Sequence, residues 1–452
     1  MDKMNVNSSQ EMRLEPFCER VLAAAQQAGI APAELFASES ESFSVRVRAG
    51  KLEDYQVADR FRLTLRGRFG GRIGTASTQA LDEESIALLI QGVRESAELI
   101  ETDEQDDILP PDEQYSAVCN YSKALEDVSA GDKIALAMEI DRRMTAADAR
   151  IKPDASVVAS AQERVTLRNT LGLNLTHRSN MIYAYGSCLA KEGEQAATGF
   201  KLLWGYAMED IKPWDVADGC VQDALGKLGA GRLPSGERPA VIRNNAMADL
   251  LATFSAVFSA DNAQKGLSLL QGKEGQTIAS PAVTIIDDPL MPWGLVSAPF
   301  VREGSATFTK RVVEGGVLRT LLHSRRTAAK AGTKTTGNAA GAGRVAPSNL
   351  YIAPGARTLE ALLEAMGDGL LVTEVSGLHA GANPISGDFS LLARGFEVHG
   401  GKCVRAVEQI TVAGNFYRLL ESVTAVGSDL LFEGQPIGSP SVTVRALSVA
   451  GE

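Results

Sequence analysis

Apolar residues recur along this chain in two periods. Phe17, Val21, Ala24 and Ala28 follow helical spacing, and Gly29 stands where a C′ residue would end the helix. Phe43, Val45 and Val47 alternate with polar residues, and Phe61, Leu63 and Leu65 do the same, which is the spacing of strands with one covered face. Gly50 and a short charged stretch separate these runs, so the two strands are expected to pair as a meander. Asp82 can cap a following helix with Glu83 and Glu84 in its first turn and Ile86, Leu89, Ile90, Val93, Ala97 and Ile100 on one side. A further helix is predicted near 132–148, burying Ile134, Ala137, Met138 and Met144. Strands at 155–168 and 181–190 and a helix at Trp214–Leu228 follow.

Two stretches interrupt the periodicity. Glu101–Gln114, ETDEQDDILPPDEQ, has seven acidic residues, no basic ones and two prolines, and reads as a solvated linker or exposed loop. GAGRLPSGERP, 229–239, has turn composition. Domains are therefore expected at 1–112, 113–232 and 233–452. The last is rich in glycine and short β-prone runs: VTIIDDP (283–289), LLVTEV (370–375), ESVTAV (421–426) and SVTVRALSV (441–449). Two helices interrupt it, one at 245–258 and one at Thr358–Met366, which buries Leu359, Leu362, Leu363 and Met366 and stops at Gly367. The fold class is α+β: a two-lobed N-terminal α+β region, then a mostly antiparallel, curled sheet or pseudo-barrel.

Charge narrows the function. The 452 residues carry 45 Lys and Arg against 56 Asp and Glu, a formal net charge of −11, which argues against a nucleic-acid binder. No apolar run reaches the roughly 18 residues of a membrane span, and the N-terminus has no secretory signal pattern, so a cytoplasmic protein is expected. Cys18, Cys119, Cys188, Cys220 and Cys403 are scattered without a CxxC spacing and read as reduced thiols. Cys188, in YAYGSCLA, and Cys220, on a predicted helix, read as core. The four histidines, His177, His323, His379 and His399, never approach within five residues of one another, so no helix offers the paired histidines of a zinc peptidase.

Other segments carry weaker signals. TKTTGNAAGAGR (333–344) resembles an anion cradle but matches neither GxxxxGKS nor GxGxxG, and reads as a flexible loop at a groove or interface. Asp287 and Asp288 precede Pro289 and read as a strand end and turn. LRTLLHSRRTAAK (318–330) reads as a helix with a basic side. GLHAGANPISGDFSLLARGF (377–396) packs many turn formers together, which demands special backbone geometry but names no reaction.

At this last segment the sequence resembles the TldD/PmbA family. VRAGKLEDYQVADRFRLTLRGRFGGRIGTAST (47–78), DNAQKGLSLLQGKEGQTIASPAVTIIDDP (261–289), FVREGSATFTKRVVEGGVLRTLLHSRRTAAKAGTKTTGNA (300–339), GANPISGDFSLLARGFEVHGGK (381–402) and EQITVAGNFYRLLESVTAVGSD (408–429) resemble family blocks in the same order. The resemblance implies one of two subunit kinds. TldD carries a helical HExxxH and a later cysteine that hold zinc, whereas TldE, also called PmbA, lacks them and pairs with TldD. In this chain the corresponding helix is NNAMADLLATFSAVFSADN (244–262), the metal positions fall near Leu251 and Ala256, and the tail 428–452 has no cysteine.

The resemblance therefore implies a non-catalytic, TldE-like subunit. It would have no catalytic or metal-binding residue of its own and no cofactor, the zinc lying in a TldD-like partner. The complex would act on unfolded peptides and peptide precursors; a homodimer of the lone chain is left open. Candidate chamber or interface residues are Thr335, Thr336, Gly337, Asn338, Gly381, Asn383, Ser386, Gly387 and Asp388. Leu251, Phe254 and Phe258 are expected to form a packing or interface helix. Three other readings stay open: a binding or regulatory protein acting on gyrase or a toxin–antitoxin pair, a hydrolase with a carboxylate site at Asp287, Asp288 and Asp388, and direct nucleic-acid binding, which the −11 charge favours least.

Overall fold

The computed structural model describes residues 4–99, 107–341 and 343–452. Ile100 and residues 101–106 of the acidic stretch lie outside them. The N-terminal half is organised by one antiparallel sheet, sheet A. Its strands are β1 (Ala33–Arg48), β2 (Lys51–Phe69), β3 (Arg72–Thr78), β4 (Ile151–Asn169), β5 (Asn174–Glu192) and β6 (Gln195–Gly205), in the order β3-β2-β1-β4-β5-β6. Ala49 and Gly50 both adopt positive φ, 49° and 72°, and turn β1 tightly into β2. Two meanders thus join along β1 and β4.

The parity of β1 sorts its residues. Ala33, Leu35 and Ala37 are buried in a cluster with Phe17 and Val21 of α1 (Met4–Gln27) and with Leu89 and Val93 of α2 (Glu83–Leu99). Asp82 caps α2 by accepting from Ser85 N at 2.8 Å. Phe43, Val45 and Val47, on the same parity, enter a second cluster with α4 (Ala130–Ala147) and α5 (Pro213–Gly226), while the single turn α3 (Lys123–Glu126) packs beside β5. The two helix pairs therefore cover one face of sheet A at opposite ends of its long strands. Even-numbered residues point to the other face.

In the C-terminal region, β7 (Gly236–Ile242) leads into α6 (Asn244–Phe254), a 3₁₀ turn at Ser255–Phe258 and α7 (Ala260–Gln264). A small sheet follows from β8 (Ile285–Asp287), β9 (Lys310–Glu314), β10 (Val317–Leu318), β11 (Leu350–Ile352) and later β16 (Ile437–Gly438), with α8 (Arg325–Ala331) beside it. The rest is α9 (Leu359–Met366), β12 (Gly369–Ser376), α10 (Leu378–Gly381), β13 (Asp388–His399), β14 (Lys402–Asn415), α11 (Phe416–Ser422), β15 (Val423–Val426) and β17 (Val442–Ala450). Strands β14-β13-β12-β7-β17 pair in sequence, and β14 also pairs with β17, which closes a five-stranded barrel; only β12 and β7 run parallel within it. The curled, mostly antiparallel C-terminal sheet of the sequence reading is this barrel.

Several local expectations need correction. Met138 is exposed, because α4 buries Lys133, Leu136, Ala137, Ile140 and Met144, a stripe that leaves position 138 on the opposite side. The basic run 318–330 is helical only from Arg325; Ser324 caps α8 there, and the residues before it belong to β10 and a buried loop. ESVTAV begins inside α11 and becomes strand only at Val423, and the turn-rich 229–239 is already strand from Gly236. β6 had no clean alternation to announce it. It is placed by a tight turn through Gly193, at φ 60°, that lays it against β5.

Candidate functional site

The uncovered face of sheet A forms the floor of a cleft. Glu34, Phe36, Ser38 and Ser40 of β1 stand opposite Arg66, Thr64, Arg62 and Arg60 of β2. Thr64 and Arg66 stand opposite Ser77 and Thr75 of β3. C-terminal loops carrying Arg302, Glu303, Ser324, Gly341, Gly343 and Arg344, with Arg326 of α8, face this floor across a cavity of about 370 Å³. A second cavity of about 570 Å³ adjoins it, with Phe36, Arg62 and Arg302 common to both.

Not all of the charge on these walls is free to meet a ligand. Arg66 is 3.0 Å from the buried Glu34, whose carboxyl burial pushes above its usual range. Glu303 accepts from Arg325 N at 3.0 and 3.1 Å and from Ser305 Oγ at 3.0 Å, so it is spent on the first turn of α8. Arg326 holds Asp261 at 3.0 Å and the Gly343 carbonyl at 2.8 Å. Arg62, Arg302 and Arg344 make no ion pair among the described residues. The Arg302 guanidinium lies 3.6 Å from the Phe36 ring centroid. Burial against this wall, with Arg66 and Arg62 nearby, holds its pKa below the usual arginine range, although much of the residue is open to solvent.

The glycine-rich loop 333–344 supplies part of the wall. Gly337, at φ 68°, lies so close to the Ala306 carbonyl that a Cβ would sit 2.7 Å from it. At Gly341, φ 77°, a Cβ would meet Arg302 Cδ at 2.8 Å. Thr335 donates to Glu303 at 3.3 Å and to the His323 carbonyl at 3.1 Å. Behind the loop, Lys310 Nζ donates to Asp287 at 2.9 Å, to the Thr336 carbonyl at 2.7 Å and to Asn338 Oδ1 at 3.0 Å. Asn338 Nδ2 donates to the same Asp287 oxygen at 2.8 Å, and Ser348 N to the other at 2.6 Å. Burial lowers the Lys310 pKa, with Asp287 opposing that shift. Asp287 thus ends β8, as a strand-and-turn reading implies, and is also the anchor of a buried ion pair. The lysine that meets it lies on another strand, so spacing could not announce it.

The second candidate loop is arranged around itself. Asn383 Oδ1 accepts from Ile385 N at 3.0 Å and Ser386 N at 3.3 Å. Ser386 Oγ accepts from Asp388 N at 3.3 Å, and Asp388 accepts from Asn415 Nδ2 at 2.9 Å, a bond that lowers its carboxyl pKa. Gly381 packs against the Ser390 carbonyl, and Gly387, at φ 83°, against the Tyr417 ring. None of these residues lines either cavity described above.

Leu251, Phe254 and Phe258 are fully buried, and Phe254 stacks on Phe416 at 4.7 Å between ring centroids. The two positions that would correspond to a zinc motif offer a buried leucine and an exposed alanine, Ala256. Neither carries a donor atom, so α6 and its 3₁₀ turn do not fit a zinc ion. Asp287, Asp288 and Asp388 do not converge, and among the described residues no three His, Cys, Asp or Glu side chains are grouped to hold a metal. Cys188 and Cys220 are buried with their sulfurs 3.4 Å apart; the Cys188 sulfur and burial push the Cys220 thiol up. Of the cleft arginines only Arg344 stood out at the sequence level, as the flank of the glycine-rich stretch that resembles an anion cradle; Arg60, Arg62, Arg66 and Arg68 lie at even positions of one strand, which alone reads as a solvated edge, and nothing marked Arg302.

Among the described residues no helix is long and apolar enough to cross a membrane. The family models of the PmbA/TldA metallopeptidase domain 1, central domain and C-terminal domain match residues 33–97, 123–228 and 235–451. Metalloprotease PmbA of Escherichia coli O157:H7 is 26% identical over 426 residues, covering 93% of this chain and 92% of that protein. A Thermotoga maritima crystal structure, of a candidate modulator of a DNA gyrase, superimposes with a TM-score of 0.91 at 33% identity, over 97% of this chain and 100% of that one. TldE of Thermococcus kodakarensis has the same fold, with a TM-score of 0.88 at 20% identity over 96% of this chain and 100% of that one. With three domain models matched in order and a solved relative aligned along nearly its whole length, the chain belongs to the PmbA/TldD metallopeptidase family.

Proposed function

We propose that this chain is the TldE-like, non-catalytic subunit of a cytoplasmic zinc metallopeptidase, paired with a TldD-like subunit that holds the metal, and that the pair acts on unfolded peptides and peptide precursors. The observation that carries this reading is the helix α6. In a family of metallopeptidases, the element where a zinc motif would stand is packed with Leu251, Phe254 and Phe258 and offers no ligand. This chain's contribution would be a chamber wall and a surface along which an extended peptide lies, held largely through main-chain pairing that tolerates varied sequences. The loops 333–344 and 377–388 are the proposed chamber or interface positions.

The test is metal content and cleavage of an unstructured peptide, by the chain alone and after mixing with a TldD-like subunit. The reading requires a metal-free, inert chain and an active mixture. Stoichiometric metal and cleavage by the chain alone would overturn it. Replacing Asn383 in the mixture tests the second loop separately: unchanged assembly and unchanged cleavage would remove that loop from the proposal.

A further inference from the structure

We propose that the cleft between sheet A and the C-terminal loops is a binding site for an extended polypeptide bearing acidic groups, with Arg62, Arg302 and Arg344 receiving its carboxylates. Three observations lead there. The first is the charge balance: these three arginines make no ion pair among the described residues, whereas Glu34, Glu303, Arg66 and Arg326 on the same walls are engaged, and the second cavity's carboxylates, Asp59 and Glu163 (which accepts from Ser38 Oγ at 2.9 Å), stand beside Arg60, Arg62 and Arg302 and leave arginine in excess. In a chain of net charge −11, a concentration of arginine without an ion pair among the described residues, in a concave place, is a departure from the composition as a whole. The second is pre-arrangement. Arg302 is laid on the Phe36 ring, and Gly341 leaves room for its stem, so its donors are held in place before a ligand arrives. The third is size. The adjoining cavities of about 370 and 570 Å³ exceed what one inorganic oxyanion fills; hydroxyls line the floor, Ser38 Oγ donating to Glu163 at 2.9 Å, Thr64 and Ser77 bonded to each other at 3.0 Å, and Ser40 beside them.

The inference rests on the peptide-surface reading above for its class of ligand; because binding is read on the purified chain without a TldD-like subunit, its failure is distinguishable from failure of the subunit reading. The probe is a fluorescein-labelled, unstructured dodecapeptide with four glutamates, its glutamine counterpart serving as control, read by anisotropy with the purified chain at low salt. The glutamate peptide is expected to bind about ten-fold or more tightly, and that difference should shrink as salt is raised. The double variant Arg62→Gln/Arg302→Gln should lose about ten-fold or more for the glutamate peptide and little for the other. Arg344→Gln, at an exposed loop position with no ion pair among the described residues, should weaken binding without lowering the melting temperature, so a folding failure of the double variant does not shelter the idea. Equal binding of the two peptides, or unchanged affinity for the glutamate peptide in Arg344→Gln, overturns the proposal. So does preferential binding of inorganic phosphate or a single-stranded oligonucleotide that the glutamate peptide cannot displace.

Discussion

Sheet A and the C-terminal barrel are both built from strands whose residues alternate between two faces, yet the faces meet different surroundings. In sheet A each strand pairs mainly with its neighbour in sequence, one face is covered by α1, α2, α4 and α5, and the other is left to the cleft. In the barrel, Ala240 of β7 pairs with Leu370 on one side and Val444 on the other, so its neighbours come from distant parts of the chain. Helix α6 is enclosed rather than laid on a surface; Met247, Leu250, Leu251 and Phe254 are all buried. An aromatic or charged residue therefore has a different weight in each half. Phe200 on the edge strand β6 is 50% exposed, whereas Phe254 is not exposed at all.

The largest expected effect contrasts those two phenylalanines. Phe254→Ala should cost about 3–5 kcal/mol in urea unfolding, because the ring leaves a cavity between Phe389 and Phe416. Phe200→Ala should stay within about 0.5 kcal/mol. Equal losses would erase the contrast. Nearly as large is Lys310→Met, about 3–5 kcal/mol, since it strands the Asp287 carboxylate in the interior; adding Asp287→Asn should recover part of the loss. Asn338→Ala, which removes a side chain bonded to both members of that pair, should cost about 1–3 kcal/mol.

On the sheet A side, Ser129→Ala removes the cap that accepts from Asp132 N at 3.1 Å and should cost about 1 kcal/mol. The smallest effect is a pH dependence on the same helix. Arg142, with Arg143, lowers the Glu139 pKa from 4.5 to about 2. Its folded-state value lies below its unfolded one, so its contribution is complete above pH 4.5 and fades as pH falls toward 2. The melting-temperature gap between the protein and Glu139→Gln should therefore close across that window. Because Glu139 sits at the surface, salt should narrow the gap as well.

Much of the secondary structure was legible because its signals are local. The alternation in 43–47 and 61–65, the Asp82 cap and the stop at Gly367 need only neighbours within a few residues, and each has its counterpart in β1, β2, α2 and α9. The elements misread or missed, such as Met138, the start of α8 and β6, depend on which face a neighbour covers or on where a turn lays a strand. For the candidate site less was visible. The glycine-rich loop 333–344 stood out by composition, but nothing in it names Phe36, Arg62 or Arg302, which reach it from other parts of the chain.

By itself, the sequence determined the fold class, the order of blocks that marks the family, and the lack of histidine and cysteine along α6, because these are properties of composition and short-range periodicity. Only the tertiary structure decided that β14 closes onto β17 and that Lys310 finds Asp287. It also decided that the even-numbered face of sheet A, with its arginines, looks across a cleft at the C-terminal loops. The physical reason is that burial and Coulomb interaction depend on distance in space. The hydrophobic surface that brings these segments together is shared by the whole chain and is written at no single position.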